Sequence, residues 1–124
     1  MSNWTHIHAI IKIEQIYCFD YGDKQFKKFR EKINKRLSKA PLITGSERNA
    51  DIIPIKFSKT IYCGNDDTDE NVNCVYVAII GGLRDRKVKQ TKNEYKKFIK
   101  YFDEPDVFSD DVFCVEELTC KICE

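Results

Sequence analysis

The sequence predicts an α+β domain with the element order βαββαβ, and three observations predict it. Apolar residues alternate with polar ones from Trp4 to Tyr17, they recur at helical spacing in two separate basic stretches, and an apolar run from Val75 to Ile80 has the character of a strand buried on both faces. At 124 residues the chain fits one domain and is long enough to bury a core. A content of 42% hydrophobic and 33% charged residues is that of a globular protein, because disordered chains lack the apolar surface to offset ordering entropy.

In the first strand Ile7, Ala9, Ile11 and Ile13 share one face, and His6, His8, Ile10, Lys12 and Glu14 the other. After a turn at Tyr21-Gly22-Asp23, Phe26, Phe29, Ile33 and Leu37 follow at helical spacing, with Asp23 placed to cap this first helix and Ala40-Pro41 to end it. Leu42 to Asp51, with its Thr-Gly-Ser, reads as a loop. Ile53, Ile55, Phe57 and Ile61 then alternate in a second strand, and Pro54, which has no amide proton for a ladder, puts that strand at a sheet edge. Gly64 to Asn71 forms an acidic hairpin tip, and Cys74 to Ile80 a third strand in the sheet centre, broken by a tight turn at Gly81-Gly82. Thr91 and Glu94 have the spacing of a capping box opening a second helix, whose Tyr95, Phe98, Ile99 and Phe102 share a face and which Pro105 ends. Val112 to Ile122 closes the chain as a fourth strand, with a bulge expected at Glu116-Glu117, where alternation fails. With right-handed crossovers this order gives the split-βαβ arrangement of ferredoxin-like folds, an antiparallel sheet in spatial order 4-1-3-2 with both helices on one face.

The net charge of +1 conceals a strong segregation. Asp23 to Ala40 holds eight basic and two acidic residues, and Arg84 to Lys100 the same numbers; Cys63 to Asn71 has four carboxylates and no base, and Asp103 to Glu124 eight acids against Lys121. In the expected fold the two basic segments are neighbouring helices, so their charges form one positive surface suited to an acidic protein or to nucleic acid, although solvated helix faces carry such charge too. The candidate contacts are Lys28, Lys32, Lys35, Arg36, Arg84, Arg86, Lys92, Lys96 and Lys100 for an acidic or nucleic-acid partner, and Asp66, Asp67, Asp69 and Glu70 for a basic one. Ferredoxin-like RNA binders stack bases on aromatic residues of the open sheet face, and the central strands lack those signatures, Tyr76 being the one aromatic of the third strand. That open face, with His6, His8, Ile10 and Tyr76, is also where a second copy would form a homo-oligomer.

Chemistry-bearing patterns are sparse. Cys18, Cys63, Cys74 and Cys114 fall toward one end of the sheet, but strands lie about 4.8 Å apart, so thiols spread over four strands span too far for one tetrahedral zinc, while Cys63 and Cys74 are placed to meet. Cys120-Lys-Ile-Cys123 has knuckle spacing without a second matching pair, and His6 with His8 has no third ligand nearby in sequence. The acidic tip offers oxygens at Asn65, Asp67 and Asp69, yet Glu70 stands where a calcium loop needs Gly and Tyr76 where it needs a bidentate Glu. Gly81-Gly82-Leu83-Arg84-Asp85 lacks the Lys-Ser/Thr of a phosphate loop. With no nucleophile-base pairing or metal-hydrolase motif, the expectation is a binding protein and not an enzyme, with no cofactor. The absence of a basic leader or of a run of roughly 18 to 20 apolar residues points to a cytoplasmic protein with no membrane partner and with free thiols packed as small hydrophobes.

Two stretches, Ser2-Asn3-Trp4-Thr5-His6-Ile7 and Ile80-Gly81-Gly82-Leu83-Arg84-Asp85 ahead of an aromatic helix, resemble small proteins carried by bacteriophages and prophages. The resemblance implies an accessory protein that binds and inhibits a host protein or immune-defence complex, of anti-CRISPR or other anti-defence type, in the host bacterial cytoplasm; it carries over no functional residue. A nucleic-acid or nucleotide-binding module and a small cysteine metal-binding domain are the alternative readings.

Overall fold

The alternating run at the N-terminus becomes the strand on which the rest of the fold is built. In the computed structural model, which describes residues 3–17, 23–63, 69–103 and 113–124, the elements are β1 (Trp4–Tyr17), α1 (Asp23–Lys39), β2 (Asp51–Cys63), β3 (Asp69–Arg84), α2 (Val88–Asp103) and β4 (Cys114–Cys123). The four strands form one sheet in the order β2-β3-β1-β4, which is 4-1-3-2 counted from the other edge, and every pairing is antiparallel. This is an α+β architecture.

Alternation in β1 does what period two requires: Ile7, Ala9, Ile11 and Ile13 are at most 2% exposed and join Val75, Val77 and Ile79 of β3 in one apolar layer. Phe29 and Ile33 of α1 and Tyr95, Phe98 and Phe102 of α2 belong to the same cluster, so both helices cover that face, and among the described residues the opposite face has no helix on it. Burying a side chain the size of Phe98 in full contributes about 1.5–3 kcal/mol, and a dozen large side chains are buried this completely. Phe29 locks the centre, edge-on to Phe57 of β2 and tilted against Phe113, with ring centroids 6.2 Å away in each case.

Pro54 sits on the edge strand β2, where a missing amide proton is tolerated, and the ladder slips beside it, leaving Ile55 as an extra residue between Pro54 and Lys56. Three expectations are corrected. Gly81-Gly82 does not break β3, which runs on to Arg84; a Cβ on Gly81 would stand 2.9 Å from the Cα of Ala50, so glycine admits a close backbone approach inside the strand, and the turn falls at Asp85 with φ 59°. Thr91 and Glu94 do not cap α2, which starts a turn earlier. The side chain of Gln90 instead accepts from the Lys87 amide, Thr91 is wholly buried, and its hydroxyl has no hydrogen-bond partner among the described residues. The bulge in β4 lies at Leu118, one residue beyond the expected pair, since Glu117 is opposite Ile11 and Thr119 opposite Ile10.

Candidate partner-binding surface

The two amphipathic helices turn their apolar stripes to the sheet and their charges away from it. On α1 Lys24, Lys27, Lys28, Lys35 and Lys39 are exposed and Lys32 half-buried; on α2 Lys89, Lys92, Lys96, Lys97 and Lys100 are exposed. Lys28, Lys32, Lys35, Lys92, Lys96 and Lys100 therefore all stand on the helical layer, and the sheet brings the two basic segments onto one side of the molecule.

The arginines behave differently. Arg36 turns inward between the helices: its guanidinium lies 5.0, 5.6 and 5.1 Å from the ring centroids of Tyr101, Phe102 and Phe113, and its Nη2 donates to the Tyr101 carbonyl at 2.6 Å. Arg84 pairs with Glu47, and Arg86 donates to Thr44 Oγ1 at 3.2 Å and to the Asp85 carbonyl at 3.1 Å. Arg30 lies over the Phe57 ring at 5.3 Å and Arg48 pairs with Asp51 at 2.9 Å. Each of the five arginines thus has a contact within the chain, Arg30 and Arg48 at the exposed surface, and three proposed contacts, Arg36, Arg84 and Arg86, are fasteners. Arg84 and Arg86 hold the 43–47 loop against the end of β3, with Glu94 accepting from the Thr44 amide at 2.9 Å and hydroxyl at 2.7 Å. The outward positive charge of the helical layer is carried mainly by lysine.

Asp66 and Asp67 lie outside the described residues, and Asp69 and Glu70 open β3 opposite Cys63 and Tyr62. The juxtaposition of Cys63 and Cys74 is corrected by the same register, which puts Cys74 opposite Ser58, about 17 Å along the strand from Asp69. Cys74 and Cys114 flank Glu14 from either side. Among the described residues no three His, Cys, Asp or Glu side chains converge as metal ligands, and no helix is long and apolar enough to cross a membrane.

No family model, curated protein or solved structure matches this chain. The site is therefore defined by its own geometry, and of its two features the first escapes sequence reasoning. A groove of about 850 Å³ runs between α2 and the edge strand β4, lined by Lys92, Lys96, Lys100 and Lys121 around an apolar floor. Within it the Tyr95 hydroxyl donates to Glu117 at 2.7 Å; burial, and then that carboxylate, push the Tyr95 phenol well above its ordinary range, and burial with the neighbouring Glu117 charge raises the Cys120 thiol. Both groups are neutral hydrogen-bonding partners at physiological pH. The second feature is the open sheet face, where Trp4, Ile53, Ile55 and Ile80 are 44 to 56% exposed around a hollow that also includes His6, His8 and Ile10. Ile10 on the otherwise polar side of β1, and the unbroken apolar run from Val75 to Ile80 in β3, are the sequence signals for it.

Proposed function

We propose that this chain is a ferredoxin-like binding protein without catalytic chemistry, which engages an acidic surface of a host or defence protein through the lysines of its helical layer and inhibits that target. The observation that carries the reading is the make-up of the helical layer: Arg36 is turned into the fold, whereas ten lysines of α1 and α2 are exposed. Lysine is a hydrated point charge on a mobile stem, suited to long-range attraction of an acidic surface, and lacks the planar fork with which arginine reads phosphates and base edges bidentately. That favours an acidic protein over a nucleic acid. The resemblance to small phage proteins supports the inhibitory role.

The test is a pull-down of the tagged chain from nuclease-treated bacterial lysate, beside the variant K28E/K35E/K92E/K96E. One dominant acidic protein held by the wild type and lost from the variant, with an unchanged unfolding midpoint, is the expected result. Equal recovery from both chains overturns the reading. Recovery of nucleic acid, with affinity falling steeply as salt rises, replaces it with the nucleic-acid module.

A further inference from the structure

The open face of the sheet has no helix on it among the described residues, and Ile53, Ile55 and Ile80 there are 46 to 56% exposed beside a hollow of about 690 Å³. An apolar patch rimmed by polar residues marks a surface that another molecule covers. The charges around the patch select which molecule.

Strand pairing sets Asp51 of β2 level with Lys121 of β4, across Ile80 and His8, and sets Lys56 level with Glu116, across Tyr76 and Lys12. Between these two rows lies one without charge, formed by Ile53, Ala78, Ile10 and Thr119. The patch is thus framed by a rectangle whose corners alternate in sign, with Asp51 and Lys56 on one border and Lys121 and Glu116 on the other. A copy turned over about an axis along the strands lays Asp51 on Lys121 and Lys56 on Glu116. A copy turned over about the axis across the strands lays Asp51 on Lys56 and Lys121 on Glu116. Either two-fold puts unlike charges at all four corners, and both leave the strands of the two sheets aligned, as face-to-face sheets pack. The carboxylates have neighbours already, Arg48 on Oδ2 of Asp51 and Lys12 on Oε2 of Glu116, and each has a second oxygen with which to accept.

Lys12, Lys56 and Lys121 in these rows balance Glu14, Asp51 and Glu116, so the face does not repel its own copy, as the lysine-rich helical layer would. Its extent is sufficient. Four strands about 4.8 Å apart and the nine residues from His6 to Glu14 at about 3.4 Å each make about 600 Å² of face, so a pair of copies buries about 1,200 Å², the size at which specific interfaces begin.

We infer that the open face is covered by a second copy of this chain, in a two-fold dimer whose apolar centre is framed by four charged pairs. The two helical layers then face away from each other, and the inference does not depend on what they bind.

The experiment is sedimentation velocity of the whole chain over a series of micromolar concentrations, with far-UV circular dichroism as the check on folding. The wild type should sediment as a dimer at the top of the series. D51K brings like charges together at two of the four corners and should weaken the dimer by about tenfold or more. One charge exchange should restore it to within about threefold of wild type: D51K/K121D for the axis along the strands, D51K/K56D for the axis across them. Ile80→Asp at the centre should give a folded monomer, and K28E/K35E on the helical layer should change the dimer affinity less than about twofold. If Ile80→Asp does not fold, the charge series decides alone. A wild type that is monomeric at every concentration overturns the inference and leaves the acidic-partner reading standing. A dimer that D51K leaves intact is held by another surface and overturns it as well. So does a dimer lost in D51K that neither exchange restores, because the corners then do not set the pairing.

Discussion

Replacing Arg36 separates the cations that build this molecule from those that face outward. Its guanidinium contacts three aromatic rings at 5.0 to 5.6 Å and donates to the Tyr101 carbonyl. A cation over an aromatic face contributes about 0.5–2 kcal/mol depending on desolvation, and a hydrogen bond from a charged donor about 1.5–3 kcal/mol. These contributions share one side chain and do not add, so Arg36→Ala is expected to cost about 3 kcal/mol. Arg36→Lys keeps the charge without the planar fork and should cost about half of that. For a domain of this size about 3 kcal/mol corresponds to a fall in melting temperature of about 12 °C. Urea unfolding followed by circular dichroism checks it, since the midpoint should drop by about 2 M at an m-value near 1.5 kcal/mol/M, with m unchanged. Lys28→Ala, an exposed control on the same helix, should stay within about 0.5 kcal/mol. An Arg36→Ala chain as stable as the Lys28→Ala chain would refute the assignment of Arg36 to packing.

Three other perturbations test the remaining structure. Glu94→Ala leaves the Thr44 amide and hydroxyl without their acceptor and should cost about 2 kcal/mol in the same unfolding assay, whereas a loss below about 0.5 kcal/mol means that the loop is not held there. Lys12 bridges Glu14 at 2.7 Å and Glu116 at 3.1 Å, and hydrogen bonds to those carboxylates, Glu14 first, raise its pKa above the ordinary lysine value. A raised folded-state value makes the contribution whole below about pH 10.4 and lost as pH climbs through the folded value, so the stability gap between wild type and Lys12→Met should be constant from pH 7 to 10 and shrink above; a gap unchanged at pH 12 contradicts the bridge. Alkylation mapped by mass spectrometry at pH 8 should modify exposed Cys114 on the order of tenfold faster than Cys74, which is 7% exposed and whose thiol is raised first by burial and then by the Glu14 charge; equal rates would contradict the burial of Cys74.

Much of the architecture was legible because β1 and the helices carry their period openly. Ile7 to Ile13 alternate without a fault, Phe29 and Ile33 or Tyr95, Phe98 and Phe102 return at helical intervals, and the structure buries those residues. Pro54 marked an edge by a rule of hydrogen bonding that no neighbour can override. What sequence could not show depended on contacts far along the chain. Gly81 resembles a turn until Ala50 is found against it, and Glu94 resembles a cap until Thr44 arrives from 50 residues away. Arg36 shows the same limit at the candidate site: it has the spacing of its lysine neighbours, and only the packing of Tyr101, Phe102 and Phe113 around it distinguishes a fastener from a contact. The groove was invisible for the same reason, since its two walls come from α2 and β4, whose closeness is a property of the fold.

Both borders of the sheet are interrupted. β2 carries a proline and the extra residue Ile55, and β4 the extra residue Leu118, each of which breaks the even ladder that a further strand would need. A sheet finished in this way discourages the edge-to-edge stacking from which filaments grow.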